Sequence, residues 1–176
     1  SSLFDLDSDL NIEKDLVSSY DTSSGSVSMK LRNADFSDGS SLTAADVIYT
    51  VKEIKSIGSK SPYYVYANKI DSVTGSGSSV TVNFKSSKDA ALDNLTFPIV
   101  SSSSYSKDSD YKPMGSGQYK YSSYDKKSYL KLVPNEDYYG DTAKNKINFK
   151  LLRYYSKAMS FVTTDAITGY VSTSNT

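Results

Sequence analysis

Residues 36–50 read FSDGSSLTAADVIYT. Ser37-Asp38-Gly39 supply turn chemistry, because glycine takes a positive φ at low cost and Asp and Ser bond their own backbone in tight turns. Thr43 is placed to cap a helix, and Asp46 follows three residues later as a T-x-x-D capping box, with its carboxylate at the positive helix end. Leu42 and Val47 occupy the two positions of a hydrophobic staple. Val47, Ile48, Val51, Ile54 and Ile57 then form an apolar stripe at helical spacing, and Gly58 is the stop signal. The stretch predicts a turn running into a capped helix of about four turns.

Working outward, SVSMKLR (26–32) alternates, with Val27, Met29 and Leu31 on one face, and reads as a strand with one buried side. After the helix, SPYYVYANKI (61–70) is a loop dense in aromatic residues. IDSVT (70–74) and VTVNF (80–84) flank GSGSS and predict a β-hairpin with a flexible loop. KDAALDNLTF (88–97) starts as a short helix that ends before Pro98. The serine-rich tracts SSYDTSSGS (18–26) and SSSSYS (101–106) read as loops, and KDSD (107–110) marks a lobe boundary. QYKYSSY (118–124) and YLKLV (129–133) flank DKKS as a second hairpin. INFKLLRYY (147–155) is a further strand region, and SKAMSFVTTDAITGYV (156–171) reads as a closing helix. The fold class is α+β, with mixed sheets and a few helices.

Composition narrows the function. The 176 residues hold 20 Lys plus Arg against 20 Asp plus Glu, and no Cys, His or Trp. A balanced charge argues against a nucleic-acid partner, since phosphate binding draws on a basic excess. No apolar run approaches the roughly 18 residues of a membrane helix, and residues 1–20 do not read as a signal peptide; an exported form would be mature chain or an excised piece. Without His or Cys, a Ser-His-Asp or Cys-His site cannot be assembled within the chain. Composition leaves room for a carboxylate pair or a Ser-Lys site, but no spacing points to one, and Asp38 and Asp46 read as a turn residue and a cap. DLDSDLNIE (5–13) is similar to the start of a calcium loop, but Leu10 and Leu16 stand where an EF-hand needs Gly and Glu, so it reads as a solvated turn. GSGSS and GSGQY (115–119) are not phosphate loops. No catalytic residue, metal ligand or cofactor is assigned, and an enzyme is not expected. Tyrosine, present 16 times, suits half-buried strands and wet ligand surfaces.

MKLRNADFSDGSSLTAADVIYTV (29–51) resembles the signature segment of the family 5 extracellular solute-binding proteins, the oligopeptide-, dipeptide- and nickel-binding components of ATP-driven importers. Leu31, Arg32, Phe36, Ser37, Asp38, Gly39, Thr43, Ala44, Asp46 and Val47 fall in register with it. A second family segment, G-T-G-P/A-Y followed by N-P-x-Y-W-x-G, is echoed by GSGQY (115–119) and NEDYYG (135–140). Gln118 replaces the usual proline or alanine, Tyr139 the usual tryptophan, and GYVS (169–172) stands at the family's G-E-I-D. The resemblance implies a fragment of a two-lobed periplasmic-binding-protein-like fold of type II. Residues 1–104 resemble the family's smaller second domain and 105–176 part of the first, with the large C-terminal domain absent. It further implies a substrate-binding component of an importer, with peptides the default ligand and a membrane permease the partner. Its place would be extracellular, lipid-anchored at the cell surface or periplasmic, with any anchor outside this chain. In peptide-binding members the S-P-Y after the signature helix sets its tyrosine beside the ligand. That role carries to Tyr63, with Tyr64 and Tyr66 as neighbours. The competing expectation for these rings is packing of loop on core. The competing function is a non-transport cell-surface interaction module built on a truncated lobe.

Overall fold

The structure, a computed structural model, describes residues 1–106 and 111–150. The signature stretch forms as its pattern requires. Helix α1 spans Ala44–Ile57 and follows strand β4, Ser26–Leu31, whose residues alternate between core and solvent. Gly39 takes φ +81° in the turn between them, a conformation that side-chain-bearing residues rarely adopt. Asp46 closes the start of α1. Its Oδ2 accepts the Thr43 N–H at 2.8 Å and the Thr43 hydroxyl at 3.1 Å. Thr43 thus sits at the cap, with its hydroxyl donating to the carboxylate. At the other end Gly58, φ +66°, donates its N–H to the Ile54 carbonyl and turns the chain out of the helix.

Four antiparallel strands build the central sheet in the order β3-β4-β6-β5, where β3 is Val17–Ser23, β5 is Ile70–Ser76 and β6 is Ser79–Phe84. Helix α1 packs on the inner face of β5 and β6. Its buried residues Val47, Val51 and Ile54 meet Val27, Met29, Val80 and Val82 in one core that also holds Phe4, Phe36 and Phe97. Burying each such aliphatic chain stabilises by roughly 1.5–3 kcal/mol relative to exposure. Ile57, the last residue of the predicted stripe, is instead exposed.

Three local readings are corrected. The GSGSS segment is not a flexible loop: β5 and β6 pair through to Ser76↔Ser79 and turn on Gly77-Ser78, with Gly77 at φ +53°. SSYDTSSGS is mostly strand β3, turning into β4 at Ser24-Gly25. It lacked a legible pattern because β3 is an edge strand that buries only Val17. Residues 88–97 form no α-helix but two 3₁₀ turns, Ser87–Asp89 and Leu92–Leu95. The Asn94 amide donates to the Asp89 carbonyl at 2.9 Å and accepts from Lys69 Nζ at 2.9 Å, side-chain bonds that compete with helix continuation.

Residues 4–14 form a hairpin not read in the sequence: β1, Phe4–Leu6, pairs with β2, Ile12–Lys14. The Asp7 carboxylate organises its turn, accepting the N–H groups of Asp9 and Asn11 at 2.8 Å and the Asn11 side chain at 3.1 Å. The solvated-turn reading of DLDSDLNIE stands for residues 7–11. Beyond residue 110, β7 (Tyr119–Asp125), β8 (Tyr129–Pro134) and β9 (Ile147–Lys150) make a second antiparallel sheet. The second hairpin forms as read, and the strand region beginning at Ile147 is seen as far as Lys150. The boundary at 107–110, the continuation 151–155, the closing helix 156–171 and GYVS lie outside the described residues.

Candidate functional site

The aromatic loop starts where α1 stops. From Gly58 the chain makes a 3₁₀ turn, Gly58–Lys60, and then a single helical turn α2, Tyr64–Ala67. Ser61 braces the junction: its Oγ accepts the Tyr63 N–H at 3.3 Å and its carbonyl accepts the Tyr64 N–H at 3.1 Å. The three named tyrosines separate here. Tyr64 and Tyr66 are half-buried and pack on the hydrophobic core. Tyr63 points outward, 36% exposed, beside an exposed Val65. Tyr64 and Tyr66 thus pack on the core, and Tyr63 is exposed among the described residues.

Helix α1 also fastens the serine tract. Ser102 N–H donates to Asp46 Oδ1 at 2.7 Å, and Val100 N–H donates to Thr50 Oγ1 at 3.0 Å, while the Thr50 hydroxyl donates to the Asp46 carbonyl at 2.7 Å. Asp46 and Thr50 are buried. The tract is thus a loop, as read, held on two buried polar side chains of the helix. Beside it Tyr105 makes edge contacts with Tyr49 and Tyr111, ring centroids 6.1 and 5.5 Å apart.

The two sequence motifs, far apart in the chain, touch at two places. Ser37 of the Ser-Asp-Gly turn donates its N–H to the Gly115 carbonyl at 2.9 Å. Arg32 lies over the Tyr139 ring, 5.4 Å from its centroid, and donates through Nε to the Asp15 carbonyl at 2.5 Å. The Tyr139 hydroxyl donates to Asp15 Oδ1, and Asp15 Oδ2 accepts the Ser2 N–H at 2.7 Å. Burial, reinforced by the hydrogen bond to Asp15, raises the Tyr139 phenol well above the usual tyrosine range, so the ring stays protonated and the donor stays in place.

A cavity of about 580 Å³ opens at this junction, lined among others by Asp5, Glu13, Lys14, Arg32, Tyr138 and Tyr139. A second concavity of about 510 Å³ crosses the outer face of the central sheet between rows of short polar residues such as Ser28, Thr74, Ser79 and Thr81. Neither includes Tyr63, Tyr64 or Tyr66. The junction cavity was missed in the sequence because its walls come from four separate stretches, within residues 1–15, at Arg32, at Pro98 and at 138–140. The one available signal was the density of acids in residues 5–15. Among the described residues no group of three or more acids is placed to hold a metal ion, and no helix is long and apolar enough to cross a membrane.

With this geometry in place, comparison with known proteins gives the class. Residues 11–175 match the model of the bacterial extracellular solute-binding proteins, family 5 Middle, and the chain belongs to that family. No curated protein sequence matches the chain. Among solved structures it is similar to NikZ from Campylobacter jejuni in complex with Ni(L-His), at 25% identity and TM-score 0.85, over 94% of this chain and 36% of that one. It shares its fold with the oligopeptide-binding protein AppA from Bacillus subtilis in complex with a nonapeptide, at 24% identity and TM-score 0.80, over 95% of this chain and 36% of that one. AgaA of A. tumefaciens R10 in complex with agropinic acid has the same fold at 17% identity and TM-score 0.78, over 94% and 36%. The chain spans about a third of the length of these relatives. Its several sheets with few helices, antiparallel in every described pairing, belong to a periplasmic-binding-protein-like fold.

Proposed function

We propose that the chain is part of the extracellular substrate-binding component of an ATP-driven importer, with peptides as its solute and a membrane permease as its partner. Residues 1–104 act as the smaller lobe and 105–176 contribute to a neighbouring one. The role is binding and not catalysis. The observation that carries this reading is the divided behaviour of the Ser61–Tyr66 loop in a chain of this family. Tyr64 and Tyr66 anchor the loop on the core, and the capped helix fixes its start, so Tyr63 is presented on a firm base. An exposed ring held this way offers a flat apolar face to a solute at low entropic cost. Peptide chemistry is favoured by the SPY stretch; the nickel-complex and agropinic-acid relatives mark the alternatives.

Calorimetry of the full-length protein and of the 176-residue chain against a peptide library tests the reading. The full-length protein is expected to bind. The 176-residue chain is expected to bind weakly or not at all, because affinity in a clamp comes from enclosing the ligand and excluding water. Tyr63→Ala in the full-length protein should weaken binding about tenfold. Unchanged affinity on removing the ring would make this loop scaffold alone.

A further inference from the structure

Of the two edges of the central sheet, β5 is guarded and β3 is open. At the β5 edge Lys55 Nζ donates to the Ile70 and Asp71 carbonyls at 2.6 and 3.3 Å, and the Ala44 N–H of α1 donates to the Gly77 carbonyl at 2.8 Å. Lysines on an edge strand block the addition of further strands. At the β3 edge the guard ends early. Lys14 Nζ donates to the Ser18 carbonyl at 2.9 Å, beside the bulge between Val17 and Ser19. Residues 19–23 carry no Lys, Arg or Pro, and every side chain from 18 to 23 is exposed.

The ladder shows which backbone groups face the open side. The Leu31 N–H donates to the Ser78 carbonyl and the Gly25 carbonyl accepts the Phe84 N–H, so odd-numbered residues along β4 turn their backbone groups toward β6. The even-numbered ones, Ser26, Ser28 and Lys30, bond to their partners Ser23, Asp21 and Ser19 in β3. Alternation leaves the N–H and C=O groups of Tyr20 and Thr22 pointing away from the sheet. Among the described residues no backbone group outside the sheet bonds to them. The Tyr20 ring lies on the core-facing side of β3, opposite Met29, yet it is 45% exposed. It meets Phe4 edge-on, with centroids 5.2 Å apart, and its other flank is open.

The strand that fits this edge is β3 of a second copy. A two-fold axis normal to the sheet allows three registers. Centred on Asp21, two carboxylates oppose each other, which is destabilising. Centred on Thr22, Tyr20 falls opposite Ser24, a turn residue. Centred on Tyr20, that residue exchanges both backbone bonds with its copy, and the two exposed rings form an aromatic cross-strand pair. Asp21 then lies opposite Ser19 of the second copy, in line with the Lys30 that Ser19 pairs with. Among the described residues neither the Asp21 carboxylate nor Lys30 Nζ has a hydrogen-bond partner. With β5 guarded, the assembly closes at two copies.

We propose that the β3 edge is a homodimer interface, at which two copies of the chain join antiparallel about Tyr20 and their four-stranded sheets become one. The proposal does not rest on the import reading.

Sedimentation of the 176-residue chain from about 10 µM to about 1 mM tests it, a range set by the small size of a single-strand contact. The mass should rise from one copy toward two. Over the same range amide hydrogen exchange at Tyr20 and Thr22 should slow with concentration, while Asp21 and Ser23, already bonded to β4, should not change. Tyr20→Lys and Tyr20→Glu each set like charges across the axis and should weaken self-association about tenfold. Mixed in equal amounts the two variants should associate again, a rescue that misfolding of either could not produce. A single-copy mass at the highest concentration, dimerisation without protection at Tyr20 and Thr22, or a mixture no tighter than either variant alone would each overturn the proposal. Full protection of both amides in a single-copy species would overturn it as well, by showing that another part of the chain fills the edge.

Discussion

The Asp46 carboxylate and the Ser102 amide are hydrogen-bonded at 2.7 Å across 56 residues of sequence. The same carboxylate receives both the backbone and the hydroxyl of Thr43, so one buried side chain starts α1 and fixes the serine tract on it. Asp46→Ala should therefore lose more than a surface cap. A cap alone is worth about 1 kcal/mol, and a charge-assisted bond adds about 1.5–3 kcal/mol. We expect a loss of about 3 kcal/mol in urea denaturation. Thr43→Ala, which removes one donor from this carboxylate, should cost about 1 kcal/mol. Equal effects of the two substitutions would show that the Ser102 bond contributes nothing.

Gly75 is predicted to be intolerant of any side chain. A Cβ there would lie 2.2 Å from the Ser79 carbonyl oxygen, 3.0 Å from Val80 Cα and 3.1 Å from the Ala44 Cβ. Two of these neighbours are backbone of the paired strand, and the third belongs to the first turn of α1, whose Ala44 N–H donates to the Gly77 carbonyl at 2.8 Å. Neither side can yield without separating the helix from the hairpin. Gly75→Ala should cost about 3 kcal/mol, at the upper end for overpacking. Gly115→Ala, with no atom near its Cβ position, is the control and should change stability little.

These two sites show where the sequence was legible. The helix at 44–57, strand β4 and both hairpins at 70–84 and 118–133 carried period, turn and cap signals that agreed with one another. Edge strand β3 and hairpin β1–β2 bury too little on one side to print a period. Asp46 was legible as a cap, because capping is local, but its bond to Ser102 is a tertiary relation. Tyr63, Tyr64 and Tyr66 look alike in sequence; only the single turn of α2 decides which of them turn to the core. The junction cavity had no local signature, since residues 1–15, Arg32, Pro98 and 138–140 meet only through the fold.

Acid sensitivity should appear below about pH 4. Hydrogen bonds from Asn11 lower the Asp7 carboxyl below the usual carboxylate range, and those from Ser40 lower Asp38. A depressed folded-state value means that the stabilisation is fully present above the unfolded carboxylate value and is lost as pH falls through the folded one. The melting temperature should thus be flat from pH 7 to about 5 in respect of these groups and fall below about 4. Asp7→Asn and Asp38→Asn should shallow that fall. An unchanged acid limb in both variants would mean that other carboxylates govern it.

Tyr139 provides the last prediction, because it joins the second sheet to the first. Its hydroxyl donates to Asp15, its ring lies under Arg32, and Asp15 in turn holds the Ser2 amide. Tyr139→Phe keeps the ring and its cation contact and removes only the donor. It leaves Asp15 Oδ1 without its bond in a partly buried place, at a cost of about 1–3 kcal/mol. Tyr139→Leu removes the ring as well and should cost up to about 1 kcal/mol more, through the lost contact with Arg32. Because the folded phenol is held protonated, the difference between wild type and Tyr139→Phe should not change between pH 7 and about 8.5, below the unfolded phenol value of about 10, and should shrink as pH rises through that value. Chemical denaturation at both pH values measures this. A wild-type advantage that disappears already by about pH 8.5 would show that the hydroxyl ionises in the folded protein and that its bond to Asp15 is not the joint between the sheets.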